Sequence, residues 1–318
     1  MRKPMQNSPM PPRYYDLNSY FQKQFGCRVH KLTVDAGLTC PNRDGTVGLG
    51  GCIYCNVRGS GTGAHAQGLS ITQQLERGKA AVAQRFKAKK FVAYFQSFSN
   101  TYAPVDHLRA IYTEALAVPD VVGLSIGTRP DCVNDAVLDL LQELARDRLV
   151  WIEYGLQSAH DFTLKVINRG HDVAAFEKAV QNTAGRGILI CVHVILGLPG
   201  ETPGQMMASA DYIANLPIDG LKLHLLYVVR GTPMETLYRS GAYQCLEQEA
   251  YADLVCDFLQ RVPPTMVIQR LTGDPHRDEL VAPAWSLEKT KTLSLINTKM
   301  VQKDIWQGKL WKTHPDEG

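Results

Sequence analysis

Six short runs of strand-forming residues divide the chain: VHKLTV (29–34), FVAYFQ (91–96), VVGLSIGT (121–128), VWIEYGLQ (150–157), ILICVHVILG (188–197) and LKLHLLYVV (221–229). They are apolar nearly throughout instead of alternating, as strands covered on both faces of a parallel sheet are. Amphipathic stretches with helical spacing lie between them, at 70–87, 105–118, 134–148, 173–186 and 203–216. Ser70 opens a Ser-Ile-Thr-Gln capping-box pattern, Val105 follows a proline, and Asn134 is a suitable cap. Strands and helices that alternate through short connections predict right-handed crossovers and a parallel sheet curving towards a barrel. The fold class expected is α/β, a partial (β/α)6-type barrel with parallel strands plus a small C-terminal α/β extension.

After Tyr243 the pattern loosens. A helix over 246–260, a break at Pro263-Pro264, a strand TMVIQRL (265–271) and a terminal helix over 286–301 complete the chain. The divisions expected are a loose, proline-bearing tail at 1–12, the barrel at 13–245 and the extension at 246–318. No internal repeat or low-complexity segment interrupts them.

Composition narrows the class. Apolar residues are 45% of the 318, enough for a large core, and the 20% charged residues mix both signs, which excludes disorder over most of the length. The net charge of +3 permits an anionic partner without predicting one. The basic N-terminus is followed by no apolar run, and no run reaches the roughly 18 residues that span a bilayer. A cytoplasmic protein without a membrane association is expected. Eight cysteines in a reducing compartment point to metal binding or chemistry, not to a disulfide framework. Cys27, Cys132, Cys191, Cys245 and Cys256 sit singly among apolar neighbours and read as small core residues.

In parallel barrels ligands gather at the C-terminal ends of the strands. The unusual polar residues fall there: the loop CPNRDGTVGLGGCIYC (40–55) after the first strand, Gln96-Ser97, Thr128 to Asp131, Gln157-Ser158, Gly197 to Gly200, and Tyr227 to Arg230. A single catalytic mouth follows. In the first loop Cys52 and Cys55 form a chelating pair, and Cys40 lies across an eleven-residue gap rich in glycine. Thiolates select zinc, copper(I) or iron–sulfur clusters. A structural zinc site takes four protein ligands, and neither His30 nor His65 stands at a ligand-like spacing. Two readings remain: a zinc-bound interaction module, or a four-iron cubane whose fourth iron is left for a chelating cofactor.

With these residues assembled, the chain resembles the radical S-adenosylmethionine (SAM) enzymes. More narrowly it is similar to the YhcC/YtqA group, related to the radical SAM domain of the Elongator catalytic subunit. The resemblance spans about residues 13–315 and rests on CPNRDGTVGLGGCIYCN, GTRPDCV, GLQSAH with NRGHD, HVILGLPGET and GLKLHLLYVVRGTPM. It implies a partial barrel and a 4Fe-4S cluster on Cys40, Cys52 and Cys55, with SAM bound at the open iron. It also implies reductive cleavage of SAM to methionine and a 5′-deoxyadenosyl radical, fed by a low-potential donor of flavodoxin or ferredoxin type. The usual CxxxCxxC spacing is lengthened here, as it is in the YhcC-like group, and the Elongator acetyltransferase domain is lacking.

The resemblance also implies cofactor contacts. Tyr54 matches a position whose backbone meets adenine, and Gln96-Ser97 stands where a Gly-Gly-Glu run would meet the methionyl amine, with the acid missing. Gln157 matches a ribose contact. Arg169 matches the partner of the SAM carboxylate, with a surface charge at a helix end as its alternative. His193 replaces an acidic ribose ligand, or is a satisfied core histidine; Gly197 and Gly200 fit a loop beside adenine. The substrate expected is a tRNA wobble-uridine side chain; Lys289, Lys291, Lys299, Lys303, Lys309 and Lys312 read either as a track for its phosphates or, equally, as a solvated helix face and tail. The basic run at 85–90 reads as a solvated helix end. The alternative substrate is a small molecule of tetrapyrrole type.

Overall fold

A computed structural model describes residues 12–56, 59 and 63–312, apart from the side chains of 83–86. The tail at 1–12 therefore lies outside the described residues except for Pro12, and so does the Arg85 side chain of the basic run. The barrel half contains α1 (Leu17–Phe25), β1 (Val29–Val34), α2 (Ile71–Phe86), β2 (Lys90–Phe95), α3 (Val105–Ala117), β3 (Val121–Thr128), α4 (Asp135–Ala145), β4 (Leu149–Gln157), α5 (Asp161–Val166), α6 (Val173–Thr183), β5 (Leu189–Leu196), α7 (Pro203–Ala214) and β6 (Gly220–Leu225). There follow β7 (Val228–Val229), α8 (Pro233–Arg239), α9 (Gln248–Leu259), β8 (Val267–Arg270), β9 (Leu280–Ala282) and α10 (Lys289–Gln302).

The main sheet has seven parallel strands in the order β1-β2-β3-β4-β5-β6-β8. Local signals set the helix starts. Gln73 N donates to Ser70 Oγ at 3.2 Å while Ser70 N donates to Gln73 Oε1 at 3.0 Å, so the capping box of α2 forms as its residues predict. Asn134 Oδ1 accepts from Val137 N at 3.0 Å and caps α4.

Two expectations need correction. The run 221–229 is not one strand: β6 ends at Leu225, and Val228–Val229 pairs antiparallel with Leu280–Ala282 in a separate two-stranded sheet. The strand expected in TMVIQRL forms, as β8, but it joins the main sheet and not a separate extension. It pairs with β6 through Gly220↔Val267 and Leu221↔Ile268, so the sheet continues past residue 245 as a seventh strand. Without β8 the backbone groups of β6 would be an open edge.

The sheet curls until its outer strands, β1 and β8, face each other. Lys31 Nζ of β1 donates to Gln269 Oε1 of β8 at 2.6 Å, and Ile268 N donates to the Tyr15 carbonyl at 2.8 Å, so side chain and N-terminal segment close the seam. Helix α1 then seals the floor. Phe21 packs on Val29 and Val92, and the Tyr20 ring meets Trp151 edge-on at 5.6 Å. Along β4 the inward residues alternate with period two. Trp151 belongs to the apolar floor, Glu153 to a charged layer, and Gly155 and Gln157 to the mouth. No helix among the described residues is long and apolar enough to cross a membrane.

Candidate active site

A cavity of about 600 Å³ occupies the mouth, at the C-terminal ends of the strands. Cys40, Cys52 and Cys55 all line it, with free thiols. The loop that carries them folds around Asn42. Gly51 N donates to the Asn42 carbonyl at 2.7 Å, and Val47 N donates to the Pro41 carbonyl at 2.8 Å. The buried Asn42 amide donates to the Asn168 carbonyl at 2.6 Å. A Cβ on Gly48 or Gly170 would stand 2.3 or 2.9 Å from Asn42 Oδ1, so both positions require glycine. Asn168 Nδ2 donates in return to the Gly51 carbonyl at 2.8 Å. The cysteine loop and the Asn168-Arg-Gly-His171 turn are thus one interlocked unit, which explains why both motifs occur.

Arg169 completes that unit. Its Nε and Nη2 donate to the Gly155 carbonyl at 3.2 and 2.6 Å, and Nη1 lies 3.6 Å from Cys52 Sγ. The residue is 7% exposed, so the surface-charge alternative is overturned. Arg43 holds the other pair: its Nη2 donates to the Cys55 carbonyl at 2.9 Å and to the Asn56 carbonyl. Burial pushes the Cys55 thiol up, and the Arg43 charge pulls it back. Burial and the neighbouring Cys52 push Tyr54 well up, and its hydroxyl is buried without a hydrogen-bond partner among the described residues. Backbone strain concentrates at this mouth. Gln157 (φ 77°) and Phe98 (φ 61°) line the cavity, and Asn168 (φ 51°) supports it, all in the left-handed region that costs a side chain about 1–3 kcal/mol.

Below the mouth lies the charged layer. Glu153, fully buried, accepts from Lys31 Nζ at 2.7 Å, His193 Nε2 at 2.7 Å, Lys222 Nζ and Ser125 Oγ. Burial alone would raise its pKa, but Lys222, Lys31 and His193 outweigh burial and hold the carboxyl well below its usual range. Burial lowers His193 to about 4, so it is neutral near pH 7 and donates Nε2–H to the carboxylate. Burial likewise lowers Lys31 to about 8. Lys222 stands 4.1 Å from the Tyr94 ring centroid. Among the described residues, the ligand atoms of Glu153, Cys191 and His193 are the trio gathered within 4.8 Å, but two ammonium groups already neutralise that carboxylate.

Of the residues named from sequence, the cavity brings together the three cysteines, Tyr54, Gln96, Gln157, Arg169 and His193. Ser97, Gly197 and Gly200 are not on its wall. Ser97 is buried, and its hydroxyl has no hydrogen-bond partner among the described residues. Gly197 turns the chain outward at φ 87°, where its carbonyl accepts from Tyr243 Oη at 2.8 Å, and Gly200 is exposed on the far side of that turn. The rim therefore draws on the fifth strand through His193 and Ile195, not through the GLPG turn. Sequence reasoning missed Glu153, Lys31 and Lys222. Their signal was present: single charged residues, two positive and one negative, inside otherwise apolar strands. It also missed Arg43, His224 and Arg270 on the cavity wall, whereas Arg129 and Tyr227 lie in the rim segments it marked. Cys191 and Cys256 are buried as expected, whereas Cys27, Cys132 and Cys245 are half-buried.

The chain of lysines proposed for phosphates is mostly engaged elsewhere. Lys289 pairs with Asp274 at 2.9 Å, Lys291 with Glu288 at 2.9 Å, Lys299 with Glu249 and Asp253, and Lys303 with Asp253 at 2.7 Å. Lys309 caps the Asp304 carbonyl and sits over the Trp306 ring.

Cys40, Cys52 and Cys55 on one chamber wall are a donor set of the kind that zinc, copper(I) and iron–sulfur clusters take. The parallel partial barrel thus carries three cysteines of one loop on the wall of a single chamber at its mouth. The Radical SAM superfamily model matches residues 40–213, and the Radical_SAM C-terminal domain matches 218–302. The chain belongs to the radical SAM superfamily, whose members use SAM and a 4Fe-4S cluster. It is 41% identical to YtqA of Bacillus subtilis over 98% of this chain and 99% of that protein. It is 42% identical to YhcC of Escherichia coli K12 over 83% and 84%. A tRNA uridine(34) acetyltransferase of Dehalococcoides mccartyi shares 31% identity over 48% of this chain and 33% of its own length. Among solved structures, archaeal Methanocaldococcus infernus Elp3 superposes with a TM-score of 0.64 at 17% identity, over 88% of this chain and 64% of that one. This similarity is one of fold.

Proposed function

We propose that Cys40, Cys52 and Cys55 hold a 4Fe-4S cluster at the mouth of the barrel, with SAM bound beside it in the 600 Å³ cavity. When bound, the pair would supply a 5′-deoxyadenosyl radical for hydrogen abstraction, the cluster's electron being spent in cleaving SAM to methionine and that radical. The chain's own residues bind, orient and exclude water. Arg169 and Arg43 place positive charge beside Cys52 and Cys55, and the Arg169 guanidinium would take the cofactor carboxylate. Gln96 meets the methionyl amine, Gln157 and His193 the ribose, and the backbone at Tyr54 the adenine. A flavodoxin- or ferredoxin-type donor reduces the cluster. The observation that carries this reading is the interlocked loop that turns all three thiols onto one chamber wall.

The substrate we propose is the side chain of a tRNA wobble uridine. Similarity to a tRNA uridine(34) acetyltransferase over about half of the chain supports it. The chamber is too narrow for a stacked duplex, so the uridine would enter extruded. The pairing of the C-terminal lysines favours a second reading, a free small-molecule substrate. Comparing modified nucleosides in tRNA from cells with and without this gene decides. A uridine modification that changes on deletion, and returns with the wild-type gene but not with Cys52→Ala, is expected; unchanged tRNA overturns the RNA substrate.

A further inference from the structure

Four guanidinium groups line the cavity, and three have protein partners. Arg43 is held by the Cys55 and Asn56 carbonyls. Arg129 is held by Asp131 at 2.6 and 2.9 Å and by the Arg169 carbonyl at 2.5 Å. Arg169 is held by Gly155 and Cys52. Arg270, at the C-terminal end of β8, has no hydrogen-bond or ion-pair partner among the described residues, although it is half-buried on the cavity wall. The acids of the same wall are spent elsewhere: Glu153 on Lys31 and Lys222, Asp274 on Lys289 at 2.9 Å, Glu279 on Asn56 Nδ2 at 2.8 Å. Beside Arg270 stand His224 and Tyr227. His224 Nε2 is buried without a partner among the described residues, and the Tyr227 ring packs over Gly273, where a Cβ would come within 2.8 Å.

A half-buried guanidinium that faces a chamber with its hydrogen-bond donors unpaired is a ready partner for an anion that enters. We propose that Arg270 is a specificity-determining residue that grips a carboxylate on the substrate, with His224 beside it. The cation is single and its flanking groups are neutral hydrogen-bonding side chains, which matches a monoanion taken by the guanidinium fork. A phosphate dianion calls for a second cation, and the other guanidinium groups of the wall already have protein partners. Arg270 lies on β8, whereas the residues assigned to SAM come from the cysteine loop, β2, β4 and β5, so the cofactor leaves it free. The inference rests on the proposed function only in taking this chamber as the substrate's.

The test uses neither RNA nor turnover. The full chain, anaerobically reconstituted with its cluster and saturated with SAM, is treated with phenylglyoxal, and arginine adducts are located by peptide mass spectrometry. Arg270 is expected to react ahead of Arg129 and Arg169. Acetate is expected to slow its modification about tenfold, the scale of one charge-assisted fork, while acetamide does nothing and inorganic phosphate protects less. SAM affinity is expected to be unchanged in Arg270→Gln and, should that variant fold poorly, in Arg270→Lys. An unreactive Arg270, equal protection by acetamide, stronger protection by phosphate, or loss of SAM affinity in Arg270→Lys overturns the assignment. None of these results bears on whether the cluster cleaves SAM.

Discussion

Gly155 shows how one residue without a side chain sets the site. It has no Cβ on an inward strand position, and that space is filled by Arg169 Nη2 and Gln157 Nε2, 2.5 and 2.7 Å from where a Cβ would be. Its carbonyl holds the same guanidinium, and His171 Nε2 lies 3.2 Å from it. In Gly155→Ala the arginine must leave Cys52. We expect a folded protein whose SAM affinity, measured by equilibrium dialysis on the reconstituted enzyme, falls at least about tenfold, or ~1.4 kcal/mol. Gly204→Ala, whose Cβ would meet nothing nearer than 3.9 Å, is expected to bind as wild type. Such residues divide by legibility. The cysteines were legible because thiol spacing is a covalent property of the chain. Arg169 was legible as a candidate but not as a buried one, because its burial depends on a carbonyl from another element. Arg270 gave no signal, since it lies in a short edge strand with no motif around it.

At the scale of elements, the apolar runs foretold β1 to β5 to within about two residues, because strands covered on both faces must be apolar. The same rule hid the charged layer, which interrupts each run only once. Lys31, Glu153 and Lys222 come from three strands, and their pairing is fixed by the curl of the sheet. The short α1 and the β7–β9 pair escaped notice because tertiary contacts stabilise them more than local pattern does. The charged layer carries its own prediction. Glu153→Leu strands two buried ammonium groups and is expected to cost about 3–5 kcal/mol in chemical unfolding. Adding Lys222→Met is expected to recover part of that loss, because one uncompensated charge goes with it. If the double variant is no more stable than Glu153→Leu, the layer is not held together by this charge balance.

The whole molecule is a curled sheet with three functional levels: an aromatic floor around Trp151 sealed by α1, a neutralised ionic layer around Glu153, and a polar chamber under a thiol-bearing loop. The floor and the ionic layer make the chamber rigid and closed from below, and the loop interlocked with Asn168 and Arg169 sets the cysteines at its mouth. The most direct measurement is formation of 5′-deoxyadenosine from SAM by the anaerobically reconstituted, chemically reduced enzyme. Wild type and Cys245→Ala are expected to produce it, and Cys52→Ala, lacking one sulfur of the trio, to produce none. A cluster-loaded wild type that leaves SAM intact, or a Cys52→Ala variant that cleaves it equally well, would contradict the assignment of this chamber.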